Sequence, residues 1–148
     1  MTAQSPDVRR DRPIGYWIKH IDRAVEEDFA RLLAAEGLNR RAWQVVNTLA
    51  QAPATGPRLD AALAPFLTAD EPTVAPYADA LAARGWAVRT AGVYALTAGG
   101  TEAHTRIAAL VRAARARIVD GLTADDYAEL LRLLQRVAAN LGVEDAGE

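Results

Sequence analysis

The sequence predicts a mainly α-helical protein with one small β-hairpin, and three observations predict it. Apolar residues recur at helical spacing through most of the 148 residues. Alternating β-formers stand out around one loop, "WAVR" and "VYALT" flanking "TAG". Capping residues and glycines then cut the helical pattern into the order helix, helix, short helix, helix, hairpin, long helix, helix.

Residues 1–12 are polar, charged and aperiodic, the pattern of a flexible N-terminal arm. Pro13 opens the first helix, whose Ile14, Trp17, Ile18, Ile21, Val25, Phe29, Leu32 and Leu33 hold one face for about five turns. Gly37 ends it. Asn39 caps the second helix, with Trp43, Val46, Leu49 and Ala50 expected inward. "QAPATGP" stops that helix, because proline and glycine cannot continue it. "PRLDAALAPF" is a short helix with Pro57 in its first turn and Leu59, Ala62 and Leu63 on one side. "LTADEPT" is a turn.

The fourth helix carries Val74, Tyr77, Ala78 and Leu81 at helical spacing, and Pro76 decides where it starts. Begun near Asp70, it would hold Pro76 in its interior at a cost of about 3 kcal/mol. With Thr73 as cap, Pro76 falls in the first turn, where proline is tolerated. The helix therefore starts at Val74. After the hairpin, Thr97 caps a long helix through Ile107, Leu110, Val111, Ala114 and Ile118. Gly121 interrupts, and Thr123 caps the last helix, with Asp125 and Asp126 where the helix dipole favours acids. That helix presents Tyr127, Leu130, Leu131, Leu134, Val137 and Leu141, and residues 143–148 form a flexible tail.

Composition narrows the function. Apolar residues make up 51% of the chain and charged residues 24%, as in a soluble globular protein. No apolar run approaches the roughly 20 residues needed to span a bilayer. "MTAQSPDVRRDRP" has the make-up of neither a signal peptide nor an anchor, and with the absence of Cys it points to the cytoplasm. Catalysis is not expected. There is no thiol, the only Ser is Ser5 in the arm, and His20 and His104 sit on different helices. No phosphate-cradling glycine loop or zinc-binding helix motif occurs, so neither cofactor nor metal is expected. The net charge of −2 is no nucleic-acid signature in itself. Between residues 37 and 100, Arg40, Arg41, Arg58, Arg84 and Arg89 face Asp60, Asp70, Glu71 and Asp79, a weak contrast.

The element order, together with "LNRRAWQVVNTLA", "ALAARGWAVR" and "YALTAGGTEAHTRI", resembles the MarR family of winged helix-turn-helix transcriptional regulators over roughly residues 14–141. The most specific pieces are "L…RGW.V", passing from recognition helix to wing, and "LTAGG", closing the wing. "GLTADDYAELLRLLQRV" resembles the family's C-terminal dimerisation segment. The resemblance implies a single domain over 13–142, with a winged-helix lobe at about 38–98 and dimerisation helices at about 13–36 and 99–142. It further implies a cytoplasmic homodimeric repressor of a pseudo-palindromic operator in double-stranded DNA, released by a small aromatic or lipophilic effector. Leu130, Leu131, Leu133 and Leu134 cover too wide an arc for one thin domain to bury, which independently favours a dimer.

On this template the DNA-binding candidates are Arg58, Thr73, Tyr77, Arg84 and Arg89. Each also has an ordinary structural role: Thr73 as a helix cap, Arg84 at a helix C-terminus, Arg89 beside a hairpin. Trp17, His20, Trp43 and Asn47 are ligand candidates, offering apolar surface with polar handles. The same side chains also suit a filled core or plain solvation. The chain departs from the family where DNA would be read. Asp70 and Glu71 precede the recognition helix, where carboxylates repel phosphate, and "TAG" makes a very short wing. These departures favour a second reading, a winged-helix dimer with weak or no DNA binding that serves as a protein- or ligand-binding module.

Overall fold

Pro13 has no amide to leave unpaired, and from it the first helix, α1 (Ile14–Ala35), runs until Gly37 closes it. The computed structural model describes residues 11–143; most of the expected arm and tail (residues 1–10 and 144–148) lies outside the described residues. α2 (Arg40–Gln51) is capped by Asn39, whose side chain accepts from the Ala42 amide at 2.9 Å. β1 (Ala54–Thr55) leads into α3 (Gly56–Ala62), where Thr55 caps the Arg58 amide and Pro57 sits in the first turn. A single 3-10 turn, Ala64–Phe66, follows. α4 (Ala75–Ala83), β2 (Ala87–Thr90), β3 (Val93–Leu96), α5 (Ala98–Ile118) and α6 (Ala124–Asn140) complete the order.

The chain forms two compact units that divide after Arg112, within α5. In the first, one cluster is built from Leu33, Trp43, Val45, Val46, Leu49, Leu59, Val74, Ala78, Leu81, Tyr94 and Ile107. α2 is buried more widely than its expected face. Val45 is fully buried, whereas Ala50 is exposed. Ala62 is likewise exposed, leaving Leu59 and Leu63 as the inward residues of α3. The buried residues of α2 still form one face, turned toward Val45 and away from Ala50 in the last turn.

The sheet is three-stranded, in the order β1-β3-β2, and antiparallel throughout. Ala54 faces Tyr94 and Thr55 faces Val93, so β1 covers the edge that β3 would otherwise expose. A two-residue strand between Pro53 and Gly56 is too short to show alternation, so by spacing alone it reads as loop. The hairpin is also tighter than "TAG" suggests. Thr90 pairs with Val93, and the turn is Ala91-Gly92 with φ of 51° and 80°. Two positive φ values mark the type I′ geometry that matches strand twist.

At the junction of hairpin and α5, Thr97 donates to the Gly85 carbonyl at 2.7 Å and caps the Gly100 amide at 3.0 Å. Gly100 is a close-approach glycine, since a Cβ there would overlap the backbone carbonyl of Trp86. This contact seats the start of α5 against the end of α4.

The second unit contains the end of α5 and all of α6, which Thr123 and Asp126 cap reciprocally in a capping box. No residue of α6 is buried. Among the described residues, no helix is long and apolar enough to cross a membrane, and no cluster of potential metal ligands occurs.

Candidate nucleic-acid interface

α3 and α4 form a helix-turn-helix, and what joins them is Asp60. Its carboxylate accepts from the Val74 amide at 2.8 Å and from the Thr73 hydroxyl at 2.8 and 3.0 Å. Thr73 Oγ in turn accepts from the Ala75 amide at 3.1 Å. Spacing places the cap at Thr73, but the capping position is Val74, whose amide is satisfied by Asp60 of the neighbouring helix. α4 begins at Ala75, one residue after the expected start, and Pro76 lies in its first turn.

Tyr77 donates its hydroxyl to Glu71. The carboxylate raises the Tyr77 pKa above its ordinary value, because ionising the phenol would destroy the bond and set two negative charges together. Arg41 Nε lies 3.9 Å from the other Glu71 oxygen, and its guanidinium lies over Phe66. Glu71 is thus held by the protein's own groups, whereas sequence alone had set it against phosphate.

Tyr94, buried on β3, donates its hydroxyl to Asp79 on α4, which raises the Tyr94 pKa for the same reason. Arg89 stands opposite Tyr94 across the hairpin, its guanidinium 5.2 Å from the ring centroid. Wing and recognition helix are joined by this pair. A cavity of about 540 Å³ opens beside it, lined by Pro57, Asp60, Thr73, Asp79, Arg89 and Tyr94 among others.

Arg84, at the C-terminus of α4, is turned back. It donates to the carbonyls of Glu36 (2.8 Å) and Gly37 (3.3 Å) and stacks 3.6 Å from the Trp86 ring centroid. Arg58 is exposed near the N-terminus of α3. Of the five DNA-binding candidates, Thr73, Tyr77 and Arg89 gather around α4 and the wing, while Arg84 is tied to the α1–α2 connection.

The ligand candidates fall into two groups. Trp17 and His20 are exposed near the start of α1 with Tyr16, which stacks on His20 at 4.0 Å and meets Trp17 edge-on at 5.4 Å. Trp43 and Asn47 instead meet His104 of α5. Trp43 stacks on its ring at 5.4 Å, and Nε2–H of His104 donates to Asn47 Oδ1 at 2.9 Å. The wing cavity is lined by none of these four. Asp60, Glu71, Asp79 and Tyr94 were not among the candidates. A tyrosine on the inward phase of a strand needs a hydroxyl partner, and that was the available signal for Asp79.

No family model matches the sequence, and no curated protein matches it. Solved structures do. Rv2887, a MarR family protein of Mycobacterium tuberculosis solved in complex with DNA, is 25% identical over 86% of this chain and 98% of its own, with a TM-score of 0.63. The same protein in complex with p-aminosalicylic acid matches at 25% identity over 86% and 99%, with a TM-score of 0.59. Wild-type MarR of E. coli, at 21% identity over 85% and 96%, shares the fold with a TM-score of 0.63. In fold and in its order of elements, this chain is similar to MarR family proteins of the winged helix-turn-helix type.

Proposed function

We propose that the chain is a cytoplasmic, homodimeric transcriptional regulator of MarR type, a repressor that binds a pseudo-palindromic operator. The observation that carries this is the assembled reading apparatus: a helix-turn-helix joined by Asp60, with a three-stranded wing tied to α4 through Tyr94 and Asp79. The likeness to a DNA-bound MarR family protein supports it. Pairing of two chains would set two such lobes about one DNA turn apart, roughly 34–36 Å. The dimer is supported by α6, whose Leu130, Leu131, Leu133 and Leu134 all stay exposed, because a contiguous apolar face marks an interaction surface. Release by a small aromatic or lipophilic effector rests on the likeness to the p-aminosalicylic acid complex.

A second reading is favoured by one observation. The exposed residues of α4, Pro76, Asp79, Ala80 and Ala83, offer no side-chain hydrogen-bond donor. In that reading the dimer binds DNA weakly and serves as a protein- or ligand-binding module. Titrating labelled DNA from the gene's own upstream region, at low and moderate salt with competitor, separates the two. A regulator retains a specific fragment with affinity falling steeply as salt rises. Failure to retain any fragment at any salt overturns the regulator.

A further inference from the structure

Resting on the DNA-binding reading, we propose that α4 selects A·T pairs, through thymine methyl groups and the adenine amine, and excludes G·C pairs. Pro76, Asp79, Ala80 and Ala83 recur at three- and four-residue spacing, so they share one face of α4, and all four are exposed. Three of them are apolar. The fourth is a carboxylate, one of whose oxygens takes the Tyr94 hydroxyl, and a carboxylate has acceptor capacity for further donors.

The polar groups able to serve as donors near this face are turned inward. The Thr73 hydroxyl goes to Asp60, the Tyr77 hydroxyl to Glu71, and the Arg84 guanidinium to two carbonyls of the α1–α2 connection. In the major groove guanine presents only acceptors, N7 and O6, and the common specific contact to it is a bidentate Arg or Lys. This face has nothing to give guanine, and Asp79 repels it. Thymine presents a methyl group, which alanine and proline can cover. Adenine presents an amine, which Asp79 can accept, whereas the cytosine amine always comes with the guanine acceptors that Asp79 repels. The face therefore matches A·T pairs best.

The test is selection of the full-length protein on a pool of random-sequence duplexes, followed by titration of the enriched duplex with thymines replaced by deoxyuridine. Each methyl lost from a covered position should weaken binding about fourfold, the value of one buried methylene. Asp79→Asn keeps an acceptor for Tyr94 and adds an N–H donor, so repeated selection should then admit guanine at a position closed to it before. Enrichment of guanine at the positions α4 covers, or affinity indifferent to deoxyuridine, overturns the inference while leaving DNA binding intact. Retention of no duplex overturns the inference together with the regulator on which it rests.

Discussion

α2 and α6 are both amphipathic helices with proper caps, yet one is finished and the other is not. In α2, Trp43, Val45, Val46 and Leu49 are all buried within a single chain. In α6, Leu130, Leu131, Leu133 and Leu134 remain between 38% and 48% exposed, and the early turns of α1 leave Trp17, Ile18 and Ile21 open as well. The difference is in available partners rather than in local propensity. α2 is surrounded by elements of its own unit, whereas no residue of α6 is buried. The lobe around α2 therefore has a filled core, whereas the terminal helices would gain theirs only in the proposed dimer.

The largest effect should come from attacking the unfinished half. Leu131→Glu with Leu134→Glu removes two side chains worth about 1.5–3 kcal/mol each when buried. Losing about 3 kcal/mol or more should weaken self-association over a hundredfold. Sedimentation should show two chains for the parent and one for the variant, with the lobe still folded by near-ultraviolet dichroism. A parent mass of one chain would break the comparison outright.

Next in size is the finished half. Gly100→Ala forces a Cβ into the Trp86 carbonyl, and backbone cannot yield as a flexible side chain can. Overpacking of this kind costs about 1–3 kcal/mol, and a backbone clash belongs at or above the upper end. Thermal unfolding at fixed protein concentration measures it. A change below about 0.5 kcal/mol, ordinary for a surface site, would mean that the start of α5 is not held against Trp86.

Much of this architecture was legible because its signals are local. Asn39, Pro57, Pro76 and the Thr123–Asp126 box each act within a turn of their own position, so spacing alone places them. What escaped depends on residues far apart in the chain. Asp60 satisfies the Val74 amide from another helix, Asp79 meets Tyr94 across the wing, and Trp43 finds His104 on α5. β1 exists only because β3 offers it an edge. The acids near α4 suggested repulsion of phosphate, but Glu71 is occupied by Tyr77. Counting charges cannot show which carboxylates are already bonded.

The Asp79–Tyr94 link sharpens the comparison more gently. Tyr94→Phe keeps the buried ring and removes the hydroxyl, leaving Asp79 exposed to water, and should cost about 1–2 kcal/mol. Its signature is in the pH dependence. The folded pKa of Tyr94 is raised, so the bond's contribution is fully present below the unfolded value near 10. As pH climbs through the folded pKa the native state holds a proton that the unfolded state has lost, and the contribution disappears. Parent and variant should therefore differ in stability at neutral pH and converge in strong alkali. Tyr77 has the same sign of shift, which leaves part of the alkaline slope in the variant. Parallel curves across the whole range would remove the hydroxyl from the account.

The smallest effect lies at the wing tip, and it runs toward stability. Ala91 adopts a φ of 51°, where an L-residue with a Cβ crowds its own carbonyl at roughly 1–2 kcal/mol. Asparagine tolerates this region better and is the favoured partner of glycine in a type I′ turn. Ala91→Asn should raise stability by up to about 1 kcal/mol, read as a higher midpoint in thermal unfolding. Because the core of the lobe is filled within one chain, the gain should appear equally in the parent background and in the Leu131→Glu, Leu134→Glu monomer. A gain confined to the dimer would mean that the wing senses the terminal helices, and the two halves would no longer be separable.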